Sequence, residues 1–184
     1  MLGTLLLRLR EYAANADPLA NAAGTIALIV ACNQPFYPLY LHAILGAAAW
    51  PAWLTLLSTP FFIAVPALAR RHSFVGRAML PIAGVANTVL CVKLFGAASA
   101  VELFLLPCLL LGSILFRPHE RFATAPILAL PFIAYLLVDG NLGVAMKVLN
   151  TNEYVALITV NAMSVAALTV LIGILFTSVL AREA

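Results

Sequence analysis

The chain has 184 residues, 64% of them hydrophobic and only 9% charged, with a mean hydropathy of +1.07. A soluble globule carries about 25% charged and 45–50% apolar residues, so this composition excludes a soluble domain and points to an integral membrane protein. The net charge of +3 sits in short segments flanking apolar runs, which leaves no basic surface for nucleic acid.

Residues 1–20, MLGTLLLRLREYAANADPLA, come first. Their apolar stretch at 5–7 is too short for a secretory signal, and no cleavage site follows. Leu2, Leu5, Leu6, Leu9 and Tyr12 recur at helical spacing, with Arg8, Glu11 and Asn15 elsewhere on the wheel. This predicts a cytoplasmic, interfacial amphipathic helix. Asp17-Pro18 then caps the first span.

Six runs follow, at 24–45, 49–68, 78–96, 101–116, 122–138 and 155–181, and a spanning helix needs about 17–25 residues. The expected fold is all-α and polytopic, a six-transmembrane-helix bundle over 21–181 with a cytoplasmic end at 182–184. Arg8 and Arg10 precede the first run, Arg70, Arg71 and Arg77 separate the second from the third, Arg117 and Arg121 separate the fourth from the fifth, and Arg182 follows the sixth. All fall on one side of a six-span thread, which the positive-inside rule makes cytoplasmic, so both termini are expected inside. The opposite connections hold Lys147, Asp139 and Glu153 and no arginine.

Polar groups inside the spans are costly in hydrocarbon and tend to face partners or cavities. The first span carries Asn33, Gln34, Pro35, Tyr37, Pro38 and Tyr40; both prolines interrupt the helical ladder. Asn33, Tyr37 and Tyr40 are spaced to share a stripe. Two readings stand: a kinked helix sealed by its neighbours, or a ligand pocket in the outer half. Lys93 lies about 22 Å along its helix from Ala78, so it either pairs with Glu102 across the outer turn or serves as counter-charge for an acidic or acyl-headgroup ligand. Asn87 and Asn161, the latter with Ser164 on its face, lie at a depth similar to Asn33. They are interhelical hydrogen-bonding groups or one polar layer of the pocket. The candidate ligand-binding residues are thus Asn33, Gln34, Tyr37, Tyr40, Asn87, Lys93, Glu102 and Asn161. Cys32, Cys91 and Cys108 read as small packing residues, and His42, His72 and His119 are scattered, so neither metal nor other cofactor is expected. With no paired carboxylates, nucleophile elbow or phosphate loop, no catalytic residue is expected either.

The runs KLFGAASAVELFLLP at 93–107 and LFRPHER at 115–121, with the Asn/Pro/Tyr stretch of the first span, resemble a family. They look like the six-helix membrane domains at the N-termini of bacterial class III adenylyl cyclases and quorum-sensing hybrid histidine kinases. The resemblance implies a bacterial inner-membrane module that forms a homodimer, contacts membrane lipids, senses a lipophilic signal and passes a change through the sixth helix to a cytoplasmic effector. These 184 residues hold no such effector, which leaves two readings: an excised domain, with 182–184 the junction to an effector, or a stand-alone protein without one. The chain also resembles the substrate-capture subunits of vitamin transporters, which work with other membrane subunits and ATPases. A third reading is an accessory subunit of a larger membrane complex.

Overall fold

The computed structural model describes residues 2–183, with the side chains of Leu2, Leu5, residues 139–141 and residues 180–183 outside the described set. Leu2 and Leu5 of the amphipathic stripe, Asp139 and Arg182 are therefore outside the described side chains, and Met1 and Ala184 lie outside the described residues altogether. Every element is helical, and no strand occurs among the described residues. Four helical stretches are long and apolar enough to cross a membrane: Pro18–Arg71, Ser73–Phe95, Pro118–Val138 and Thr151–Val179. Val101–Ile114 is apolar but shorter. The chain is an all-helical membrane protein.

Helix α1 (Leu2–Ala13) packs on α2 (Pro18–Asn33) and α4 (Thr59–Arg71). The α2 helix begins where the Asp17 carboxylate accepts the Leu19 amide at 3.0 Å, with Pro18 in the first turn. Its buried face is built largely of Ala20, Ala23, Gly24 and Ala27, small enough for neighbours to approach closely. A Cβ at Gly24 would lie 3.3 Å from the Ala13 carbonyl oxygen and 3.4 Å from Pro66. Pro35 offers no amide, so α2 stops at Asn33 and α3 (Phe36–Leu45) begins afresh. The double interruption expected of this run is a single one. Pro38 falls in the first turn of α3, where an amide has no helical partner in any case.

The chain reverses at Gly46, whose φ of +58° suits a residue without a side chain. Gly46–Ser58 then forms a 3₁₀ helix of 13 residues, against the usual three or four. The spanning run expected at 49–68 is thus 3₁₀ in its first part and α4 in its second. Pro51 removes one ladder donor, and the Thr55 and Ser58 hydroxyls donate to the Ala52 and Thr55 carbonyls, three residues back, at 2.7 and 2.8 Å. At about 2.0 Å per residue this segment covers about 26 Å.

Helix α5 (Ser73–Phe95) is the hub, packed against α2, α4, α6 (Leu105–Ile114) and α7 (Arg121–Asn141). It ends at Gly96, φ +81°, whose amide donates to the Val92 carbonyl at 2.7 Å. The Met146 and Lys147 amides cover the Lys93 and Leu94 carbonyls at 2.9 Å each. Short 3₁₀ turns, Ala97–Ser99 and Val101–Phe104, lead into α6, and Pro118–Glu120 leads into α7. Helix α8 (Thr151–Glu183), 33 residues and about 50 Å long, joins the two ends of the bundle. Near its start Leu157 packs with Leu41, Leu45, Leu94 and Phe95, and near its other end Ile172 packs with Ile26, Phe62, Leu80 and Leu115.

Candidate functional site

Between α2, α5, α6 and α8 lies a cavity of about 730 Å³, partly open to the surroundings. That volume falls within the roughly 300–1,000 Å³ of small-molecule sites. Its walls are mostly apolar, with Ile26, Val30, Leu80, Leu111, Leu168 and Leu171 prominent. Ile29, Cys32, Asn33 and Phe36 line it while remaining exposed, so it opens sideways along α2. One end is polar: Asn33, Gln34, Tyr37, Asn87 and Thr88 gather there, with Ser164 on α8. At the other end α1 contributes Leu6, Leu9, Arg10 and Ala13. The cavity therefore runs from the α1 end of the bundle past its middle to Cys91, Val101 and Phe104, beside the turns that lead into α6.

Four of the eight expected residues line this cavity. Gln34 is buried and its Nε2 donates to Ser58 Oγ at 2.7 Å, tying α2 to the returning 3₁₀ segment. Tyr37 lines the cavity, and its hydroxyl donates to Asn161 Oδ1 at 3.2 Å. Asn33 is exposed at the lateral opening. Asn87 is half-buried, and its buried Oδ1 has no hydrogen-bond partner among the described residues.

The other four are elsewhere. Tyr40 is 52% exposed and stacked on Phe36, with ring centroids 6.3 Å apart. The stripe expected to join it to Asn33 and Tyr37 fails because the break at Gln34-Pro35 resets the helical phase. Lys93 is exposed, and its ammonium donates to the Leu142 and Val144 carbonyls at 2.8 and 3.1 Å. It thus closes the loop before α8 and neither faces inward nor pairs with Glu102. Glu102 lies outside the cavity lining, with one buried carboxylate oxygen unpartnered among the described residues. Asn161 is fully buried behind Tyr37, and its Nδ2 donates to the Ser99 carbonyl at 2.9 Å.

A polar cluster at the α1 end was not anticipated. The Arg77 side chain, 1% exposed, donates through Nη1 and Nη2 to the two Glu120 oxygens at 2.8 and 2.6 Å. It also donates to the Leu115 carbonyl at 2.7 Å and to Ser73 Oγ at 3.1 Å, and it lies against the paired Phe74 and Phe116 rings, 5.9 and 5.4 Å from their centroids. Asp17 accepts from Ser73 and from Arg117, the latter at 3.0 Å, and lies 3.9 Å from Arg77. Burial pushes the Asp17 carboxyl up, but the hydrogen bonds from Ser73 and the Leu19 amide and the charges of Arg117 and Arg77 outweigh it and hold it below its ordinary value. Arg70 donates to the Tyr12 carbonyl at 3.2 Å and lies over the Tyr12 ring. The acids beside the basic junctions were the available signal: Asp17 and Glu120 stand next to arginine-bearing turns that the charge pattern alone had set on one side.

Comparison of the chain with protein-family models, curated proteins and solved structures finds no match.

Proposed function

We propose that the protein is a membrane receptor-like module that holds a lipophilic ligand in the cavity between α2, α5, α6 and α8. The observation that carries this reading is Asn87. An amide oxygen buried without a partner costs about 1–3 kcal/mol, and in an apolar cavity opening toward lipid a ligand hydroxyl or amide can satisfy it. Tyr37 supplies the coupling, because it touches the cavity with its ring and α8 with its hydroxyl. Helix α8 has no proline and is longer than the roughly 30 Å hydrocarbon core, so it carries a shift at Asn161 to the opposite end as a rigid rod. We further propose the six-span thread with both termini cytoplasmic. It is supported by the meeting of Tyr12, Asp17, Arg70, Arg77 and Arg117 at one end of the bundle.

Asn87→Leu tests the ligand reading. Retention of co-purifying lipophilic molecules, measured by native mass spectrometry of the full chain, should fall, while the thermal stability of delipidated protein should hold or rise. A loss of stability without any change in retained molecules would make Asn87 a helix-packing group and end this reading.

A further inference from the structure

The cavity carries one charged lining residue among those described, Arg10, and it stands at the end opposite the Asn87 amide. Three other arginines at this end of the bundle are already engaged. Arg77 and Arg117 are neutralised by Glu120 and Asp17, and Arg70 is held against Tyr12. The Arg10 side chain is exposed and makes no hydrogen bond or ion pair among the described residues. On α1, Leu6, Leu9 and Ala13 point the same way and roof the cavity. The roof is fixed: the Tyr12 hydroxyl donates to the Ile63 carbonyl at 2.9 Å, and the Ala13 carbonyl sits against Gly24. From Gly24 to Asn33 the wall of α2 rises about 14 Å.

We infer that the ligand is an anionic amphiphile: a single hydrocarbon chain lying along α2, with its carboxylate or phosphate held by Arg10 beneath α1. This rests on the cavity being a ligand site, as proposed above, and adds the charge and the direction of what enters it. The guanidinium supplies paired donors suited to either oxyanion. The apolar wall takes the chain, and the Asn33, Asn87 and Thr88 end takes a second oxygen carried along it. Access is sideways, from the leaflet in which α1 lies, so the ligand arrives from the bilayer with its charged end already at the interface.

The test uses the full chain in lipid nanodiscs and three long-chain probes of equal length bearing the same photoactivatable group. One ends in a carboxylate, one is a phosphate-headed lysolipid, and one is the neutral methyl ester. Crosslinks are mapped by peptide mass spectrometry, and affinity is read from the concentration dependence of labelling. The inference expects one or both anionic probes to label cavity residues, with about tenfold tighter apparent binding than the ester. Which anionic probe is preferred tells a fatty-acid source from a phospholipid one. Arg10→Gln should erase that preference and Arg10→Lys should keep most of it. Arg8→Gln, an exposed neighbour outside the cavity lining, should leave it intact. Equal labelling of the cavity by all three probes, or an anionic preference that survives Arg10→Gln or falls equally with Arg8→Gln, overturns the inference while leaving the cavity as a ligand site. Failure of every probe to label the cavity overturns both.

Discussion

Replacing Glu120 with alanine should strand a buried charge. In the intact protein both Nη atoms of Arg77 donate to Glu120, at 2.6 and 2.8 Å, and the guanidinium is 1% exposed. After the substitution it keeps the Leu115 carbonyl at 2.7 Å, Ser73 Oγ at 3.1 Å and the Asp17 carboxylate at 3.9 Å. Breaking a buried ion pair from one side costs about 3–5 kcal/mol. Because Asp17 remains close, the lower end, about 3 kcal/mol, is expected, which at about 2–4 °C per kcal/mol lowers the melting temperature by about 6–12 °C. The assay follows the reaction of buried Cys91 and Cys108 with a fluorogenic maleimide on heating, in a Cys32→Ser background in detergent. Arg117→Ala is the comparison: Arg117 is 40% exposed and holds Asp17 through one contact at 3.0 Å, a pair worth less than about 1 kcal/mol. The double variant Arg77→Met with Glu120→Leu should recover much of the loss, since it leaves no buried charge. A Glu120→Ala shift no larger than that of Arg117→Ala, or a double variant at least as unstable as Glu120→Ala alone, refutes the argument.

Three further outcomes follow from the geometry; the first and third are read in the same assay and the second, in acid, by scanning calorimetry. A Cβ at position 76 would sit 2.4 Å from the Ala69 backbone, so Gly76→Ala should force α4 from α5 and cost about 1–3 kcal/mol or more. Gly173→Ala, with nothing within 4 Å, should be neutral or gain up to about 1 kcal/mol, and matching shifts would contradict the close approach. The folded pKa of Asp17 lies below its ordinary value of 3.8, so its stabilisation is full above that value and drains as pH falls through the folded pKa. The margin of wild type over Asp17→Asn, which retains a capping oxygen, should therefore be steady near about pH 6 and shrink below about pH 4; an unchanged margin in acid would exclude the charge as its source. Tyr37→Phe deletes one hydrogen bond and should cost about 0.6–1.7 kcal/mol, whereas Asn161→Leu deletes that bond and the one to Ser99 and should cost more. Equal costs would show that the Ser99 contact contributes nothing.

The amino-acid sequence by itself determined the class of protein, the cap at Asp17-Pro18, the interruption at Pro35 and the helical nature of nearly every segment. These depend on local chemistry: an apolar run long enough to cross lipid, an acceptor before a first turn, a residue without an amide. The same reasoning located Asn33, Gln34, Tyr37 and Asn87 as polar groups worth following, and they meet at one end of the cavity. What it did not reveal was which way most polar side chains turn. In a membrane protein apolar residues cover both the packed and the lipid-facing sides, so hydropathy around a helix does not mark the inner face. The turn of Tyr40 outward, the capture of Lys93 by the loop before α8, and the 3₁₀ geometry of Gly46–Ser58 were left to tertiary structure. So was the pairing of Arg77 with Glu120, 43 residues apart in sequence. Each of these is set by a partner on another segment. Arg77 shows the reason most plainly: its position in a basic junction suggests a solvated charge, and only the convergence of Asp17, Ser73, Leu115 and Glu120 around it supplies enough acceptors to bury it.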